Sequence, residues 1–302
     1  MFGIPLALPT RKRVTNKTTG KMEKIQRLPP GLTLSSGIAV LAYHRRSLNR
    51  SGVAGTITTG TAILTMGGWS WGLPLVYFFV SSSLLSHFRE RDKARSAADK
   101  FSKGSERDFT QVAANGGVAT LIALIHGLTH DHLLPDHLLQ AGFAGTLATA
   151  TADTWATEIG VLSPQQPRLI TTGERVSAGT SGGITLPGTG AASLGALSLG
   201  LVCWAAAGFR KSLASLPLIA LVSGLAGSFF DSLLGATVQA VYYCPECDME
   251  TERHIHSCGT KTKTLRGISW INNDTVNFLA TLFGGIVAMG MFIIKQADPA
   301  RR

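Results

Sequence analysis

The sequence predicts an all-α fold: a polytopic integral membrane bundle of about seven to eight spans, with a small zinc-knuckle-like loop on its cytoplasmic side. Three observations predict it. Only 15% of the 302 residues are charged and 45% are hydrophobic, whereas soluble domains carry about 25% charged residues. The charges are clustered, which leaves apolar runs between them. Lone strands cannot cross lipid, because a spanning element must satisfy its own backbone polar groups, so the runs are helices. The net charge of +10 then reads as basic cytoplasmic loops. It does not read as a nucleic-acid surface, since no zinc-finger, helix-turn-helix or aromatic-basic pattern accompanies it.

Residues 1–27 form a basic tail with seven Lys or Arg and no apolar core long enough for a cleavable leader; disorder is expected there. One membrane domain covers 28–295, and 296–302 is a short C-terminal tail. Its first apolar run, 28–43, carries Pro29 and Pro30 and is short against the roughly 20 residues of a span. Runs 52–68 and 73–88 follow, with Trp69 and Trp71 in the turn between them expected at headgroup level. Residues 89–108 carry seven basic and five acidic side chains and belong in water. Runs 111–127 and 137–152 make a hairpin whose link holds His126, His130, His132 and His137 without a convincing metal-ligand spacing. A hairpin returns the chain to its starting side, so Asp153 and the loop after it share a face with the 89–108 loop. Runs 187–209 and 213–241 are two further spans, the 243–267 loop returns to that face, and 268–295 is the last span. The active face is expected to be cytoplasmic, in a bacterial plasma membrane.

Four carboxylates lie in or beside spans: Asp153, Glu158, Asp231 and Asp274. Each costs about 2.5–3.5 kcal/mol at a helix centre on insertion scales, so each needs a reason. Asn273, Asp274 and Asn277 add oxygen donors, with Asp274 and Asn277 three apart on one helical face. Hard cations such as Mg²⁺ take oxygen ligands and bridge to substrate phosphates. Asp153 and Glu158 are five apart and do not share a face: either the helix ends between them or they serve different ions. Arg168 and Arg175 supply planar two-pronged phosphate donors, and Thr180, Ser181, Gly182 and Gly183 let backbone N–H groups approach an anion. Arg107, Gln111 and Asn115 recur at intervals of four and line one helical face. Cys244-x-x-Cys247 with Cys258 and either His254 or His256 has the residue types of a closed structural Zn²⁺ site. Cys203 reads as packing within a span.

The segments GSERDFTQVAANG, ADTWATEIG, PRLITTGERVSAGTSGGI, DSLLGATVQ and NNDTVNFL together resemble a family of integral membrane proteins that includes transmembrane protein nineteen and the phytyl-phosphate kinases of plants and cyanobacteria. That family is distantly similar to CTP-using prenol kinases and cytidylyltransferases. The resemblance implies transfer of a phosphoryl group from a nucleoside triphosphate, CTP for preference, to an isoprenoid monophosphate lipid such as phytyl phosphate. It implies that Asp153, Asp231 and Asp274 bind Mg²⁺, with Glu158 and Asn273 in support, and that the arginines and the glycine loop hold phosphates. Two other readings stand beside it: a cytidylyltransferase-type lipid enzyme, and a transporter or flippase of an anionic lipid or small anion.

Overall fold

The computed structural model describes residues 17–97, 106–129 and 134–297. Among them eight long helices run alternately up and down: α1 (Lys17–His44), α2 (Arg50–Gly67), α3 (Trp69–His87), then, after the short α4 (Glu90–Ala97), α5 (Phe109–Leu128), α6 (Asp136–Gly160), α7 (Leu186–Ala206), α8 (Leu216–Thr237) and α9 (Asn273–Ala297). Four of them are long and apolar enough to cross a membrane by length and composition: α5, α7, α8 with the 3₁₀ turn before it, and α9. The fold is helical and membrane-embedded, with four helices, against the expected seven to eight, meeting that measure.

Helix α6 is the axis of the bundle. It packs against α3, α5, α7, α8 and α9, and its residues are buried without a break from Ala141 to Ala152. A helix enclosed by protein need not be greasy all round, which is why Thr149 and Thr151 are tolerated. Their hydroxyls donate to the carbonyls of Gly145 and Leu147 one turn back, at 3.0 and 2.7 Å, so no polar group is stranded. Small residues set the spacing: a Cβ added at Gly145 would stand 2.6 Å from the carbonyl oxygen of Gly284 on α9, the close backbone approach common in membrane helix pairs.

The polar caps gather at one end. Asn49 accepts from Gly52 N at the start of α2, Asp108 and Gln111 form a reciprocal capping box on α5, Thr185 accepts from Gly188 N on α7, and Asn272 accepts from Thr275 N on α9. Each satisfies an orphan donor of a first turn. The basic segment after α3, the loop after Asp153 and the cysteine segment meet at this end, as the hairpin argument requires.

Several expectations are corrected. Residues 17–27, assigned to the tail, are helical and continuous with α1; Lys24 Nζ donates to the Gly127 carbonyl and Arg27 pairs with Glu23, which ties that segment down. Trp71 does not sit at an interface. It is 2% exposed, stacks on His126 and packs at a tilt against Phe143, with ring centroids 4.7 and 4.5 Å apart, while Trp69 stays exposed. His126 also pairs with Asp136 at 3.2 Å; His130 and His132 lie outside the described residues. The fold is not purely α. Helix α8 stops at Thr237, four residues before the expected end, and Val241–Cys244 is a strand. It is the centre of a three-stranded antiparallel sheet with Met249–Thr251 and Lys263–Arg266 on either side. With β1 (Arg168–Leu169) and β2 (Gly183–Ile184) forming a hairpin in the loop after α6, these strands are β3, β4 and β5. Aromatic and β-branched Val241-Tyr242-Tyr243 favours a pleated, half-buried strand.

Candidate functional site

The loop-rich end encloses one polar cavity of about 270 Å³. Each wall comes from a different helix terminus. Helix α6 contributes Asp153 and Glu158, α8 contributes Ser228, Asp231 and Ser232, and α9 contributes Asn273 and Asn277. The start of α5 contributes Arg107, Gln111 and Asn115, and the loop before α7 contributes Gly179 to Gly183. Asp153 lies seven residues before the end of α6, so the floor is roughly 10 Å below the rim at 1.5 Å per residue.

Asp153 and Asp231 both line this space, from the neighbouring helices α6 and α8. Ser228 Oγ lies 3.5 Å from Asp153 Oδ1, a weak contact. Asp231 Oδ2 is buried with no hydrogen-bond partner among the described residues. A buried carboxylate oxygen without a donor is costly, and two carboxylates in one cavity compound that cost. The arrangement has the charge and donor type to hold a hard cation.

Glu158 is engaged by side chains from α3 and α4. Helix α6 runs unbroken through both acids, and Glu158 turns to accept from Ser86 Oγ at 2.6 Å and Lys93 Nζ at 2.5 Å. Its charge is matched by Lys93 where it lines the cavity. Asp274, unlike Glu158, does not line the cavity; its Oδ2 lies 2.7 Å from the Thr110 hydroxyl of α5. The flanking asparagines, at i and i+4, point inward in its place, because a spacing of four keeps one face better than a spacing of one.

Among the described residues, the cation lining the cavity is Arg107. Its backbone is locked to the α1–α2 turn, donating to Ser47 O at 3.0 Å and accepting from Asn49 N at 3.1 Å. The fit is close: a Cβ at Gly52 would stand 2.1 Å from the Arg107 carbonyl oxygen. Its guanidinium reaches Ser83 and Ser86 at 3.3 and 3.4 Å. Burial pulls its pKa below the usual value and the Glu158 carboxylate pushes it back up; a guanidinium stays charged throughout. Arg168 and Arg175 stand elsewhere. The β1–β2 hairpin sets them side by side and turns both outward, exposed, with Arg168 Nη1 donating to Gly173 O at 2.8 Å.

The glycine loop does reach the cavity. Gly182 has φ +85°, and a Cβ there would lie 2.5 Å from Ala236 Cβ, so the loop presses on α8 as only glycine allows. The motifs did not single out three residues that hold it. Gln239 Nε2 donates to Glu252 Oε1 at 2.7 Å, and Ser181 Oγ donates to the same oxygen at 3.1 Å. Arg266 Nη1 donates to the Gly235 and Ala236 carbonyls at 2.8 and 2.7 Å, a cation on the free carbonyls of a helix C-terminus. Gln239 closes the DSLLGATVQ segment; nothing in the sequence around Glu252 or Arg266 signals a site.

A second, apolar pocket of about 60 Å³ lies between α1, α2, α3 and α5, lined by Ile38, Leu64, Leu75, Val76, Phe78 and Phe79 among others. It shares Arg107, Gln111 and Asn115 with the polar cavity.

Cys244, Cys247, His256 and Cys258 form a separate cluster, their ligand atoms all within 4.8 Å of one another. Hydrogen bonds from Thr260, then His256, lower the Cys258 thiol to about 6. His254 is elsewhere, packed at a tilt against Tyr242 with ring centroids 4.4 Å apart, so of the two histidines it is His256 that stands with the three cysteines. Cys203 is buried in the core, as expected.

The profile of the integral membrane protein DUF92 family matches residues 33–285. The chain belongs to that family. Among DUF92-type relatives, Protein PGR of Arabidopsis thaliana is 36% identical over 275 residues, covering 85% of this chain and 93% of its own. A membrane protein of Methanocaldococcus jannaschii is 30% identical over 268 residues, covering 89% and 95%. Protein VTE6, chloroplastic, of Arabidopsis thaliana is 26% identical over 254 residues, covering 82% and 67%. No solved structure matches.

Proposed function

We propose that this DUF92 protein is a membrane phosphotransferase that moves the terminal phosphoryl group of a nucleoside triphosphate, CTP for preference, onto an isoprenoid monophosphate such as phytyl phosphate. A phosphate oxygen of the acceptor bonds to the γ-phosphorus, the bond to the leaving nucleoside diphosphate breaks, and a prenyl diphosphate results. The observation that carries this reading is the adjacency of the two chambers. A polar cavity with carboxylates, a guanidinium and a glycine loop shares Arg107, Gln111 and Asn115 as lining with an apolar pocket. An amphipathic phosphate lipid has this shape, with its head at Arg107 and the first part of its tail among Val76, Phe78 and Phe79. The lipid class itself is suggested by the likeness to phytyl-phosphate kinases.

Asp153 and Asp231 are the ligands proposed for Mg²⁺, with Asn273 and Asn277 beside them; Asp231's unpartnered oxygen supports this assignment. When bound, the ion neutralises phosphate charge. The chain's own groups do the rest. Arg107 orients the acceptor phosphate, the amides and hydroxyls of Thr180 to Gly183 hold the donor phosphates, and Glu158 with Lys93 fixes the wall behind Arg107. No general base is needed, because a phosphate monoester has a second pKa near 6 and is ionised at pH 7. Positioning and charge neutralisation then dominate phosphoryl transfer. We take all eight long helices as spans and the cavity end as cytoplasmic, since Arg45, Arg46, Arg50, Arg89, Arg91 and Lys93 flank it, in keeping with the positive-inside bias.

The test uses purified protein in detergent with phytyl or geranylgeranyl monophosphate, Mg²⁺ and triphosphates labelled at the α or γ position. Label from the γ position in a lipid diphosphate supports the kinase. Label from the α position joined to lipid supports a cytidylyltransferase instead. Neither product, with Asp153→Asn behaving as the parent, moves the reading to transport.

A further inference from the structure

We infer that Cys244, Cys247, His256 and Cys258 bind one structural zinc ion, and that this ion holds the β3–β5 sheet as the wall that clamps the glycine loop of the cavity. The ligand set arises from two turns brought face to face. Cys244 ends β3, Cys247 lies in the β3–β4 turn, and His256 and Cys258 lie in the turn before β5. The Cys244 and Cys258 sulfurs are 3.7 Å apart. A tetrahedral ion with Zn–S of about 2.3 Å requires an edge of about 3.8 Å. His256 Nδ1 stands 3.3 Å from Cys258 Sγ, near the edge of about 3.5 Å for one nitrogen and one sulfur at zinc distances. His256 and Cys244 are buried, at 4% and 0% exposure. A Cys₃His set fills all four positions and leaves none for substrate.

The sheet is buried chiefly through its central strand, where Val241, Tyr242 and Cys244 are covered. All four residues of β5 are exposed or half-exposed, so a cross-link between the β3–β4 turn and the turn before β5 adds order where packing is thin. The sheet grips the bundle at two points at the Val241 end of β3, three residues along the strand from Cys244: Arg266 pairs with Val241, and Glu252 follows the Thr251 that pairs with Tyr242. Glu252, just past β4, accepts from Ser181 Oγ and Gln239 Nε2. Arg266, at the end of β5, bonds the Gly235 and Ala236 carbonyls and reaches Ser181 O at 3.4 Å. Ser181 is therefore held by its hydroxyl and by its carbonyl, both from the metal-tied sheet. The inference does not depend on which reaction the cavity carries out.

The experiment uses the full chain, purified in detergent without chelators. One zinc per chain is expected. The ion should be retained in His254→Ala and Cys203→Ser, lost in His256→Ala and Cys258→Ser, and replaceable by Co²⁺ with the visible bands of a tetrahedral thiolate site. Hydrogen exchange then tests the clamp on the parent protein, which avoids variants that fail to fold. Stripping the ion should remove amide protection from 241–266 and from 179–184 while α6 from 141 to 152 stays protected. Background metal content, or loss of the ion in His254→Ala but not His256→Ala, overturns the site. Unchanged protection at 179–184 after the ion is gone, or loss of protection throughout α6, overturns the clamp.

Discussion

Lys93 Nζ and Glu158 Oε2 stand 2.5 Å apart, with side chains only 10% and 21% exposed. The ammonium spends its other donors on the carbonyls of Leu85 and Ser86, at 2.8 and 2.7 Å, so one lysine caps α3 and ties α4 to α6. The pair engages the second acid of ADTWATEIG with a cation from α4. It also aligns Ser86, which faces both Glu158 and Arg107.

Lys93→Met should therefore destabilise the protein. Breaking a fully buried pair costs about 3–5 kcal/mol; Arg107 remains near Glu158, so about 2 kcal/mol is expected. Unfolding in detergent measures it, and the double variant Lys93→Met with Glu158→Gln should recover most of the loss, since no uncompensated charge is left.

Asp231→Asn should show the opposite sign without divalent cation. The parent holds two carboxylates facing one cavity, and removing one charge relieves their repulsion, so the variant should melt higher than the parent in chelator. Adding Mg²⁺ should stabilise the parent, by about 2.7 kcal/mol at a hundredfold excess over Kd, and leave the variant unmoved. Equal Mg²⁺ responses in both would remove Asp231 from the ligand set.

How much of this was legible in the sequence depended on whether a residue's role was local. Arg107, Gln111 and Asn115 were readable because a spacing of four is fixed by the helix itself. Asp153 and Asp231 were readable because a charge in a span needs a reason. The outward turn of Arg168 and Arg175 was not, since it depends on the pairing of Arg168 with Ile184 across β1 and β2. Glu252 and Arg266 were invisible for the same reason: they act across 71 and 85 positions on Ser181, and no local pattern encodes that reach. Lys93 looked like one more solvated charge in a basic run.

The phosphate-binding assignment separates the arginines. Arg107→Lys keeps the charge but loses the planar fork and should lower turnover roughly 10³-fold, the low end for an arginine acting on phosphoryl transfer. Arg168→Ala and Arg175→Ala, both exposed, should leave turnover unchanged and shift stability by no more than about 0.5 kcal/mol. Steady-state rates on the three purified variants decide it.

Gly182→Ala places a methyl against Ala236 at a positive φ, costing about 1–2 kcal/mol in backbone strain alone. The loop should lift from α8, and nucleotide affinity should fall more than the melting temperature does. Titration of the nucleotide by calorimetry, beside a melting curve, checks the split.

The apolar pocket gives the sharpest test of the acceptor. Val76 lines it from α3, beside Phe78 and Phe79, and Val76→Trp would fill space that the proposed lipid tail needs. Displacing two or three methylenes from an apolar site loses about 2 kcal/mol, or about thirtyfold in kcat/KM. The effect should be confined to long acceptors. Geranylgeranyl or phytyl phosphate should suffer the full loss, while a short isoprenyl phosphate, whose tail ends before Val76, should be turned over by parent and variant alike. A uniform loss for both acceptors would mean that the substitution disturbs Arg107 through α3, and an unchanged rate for both would mean that the tail leaves the cavity by another route.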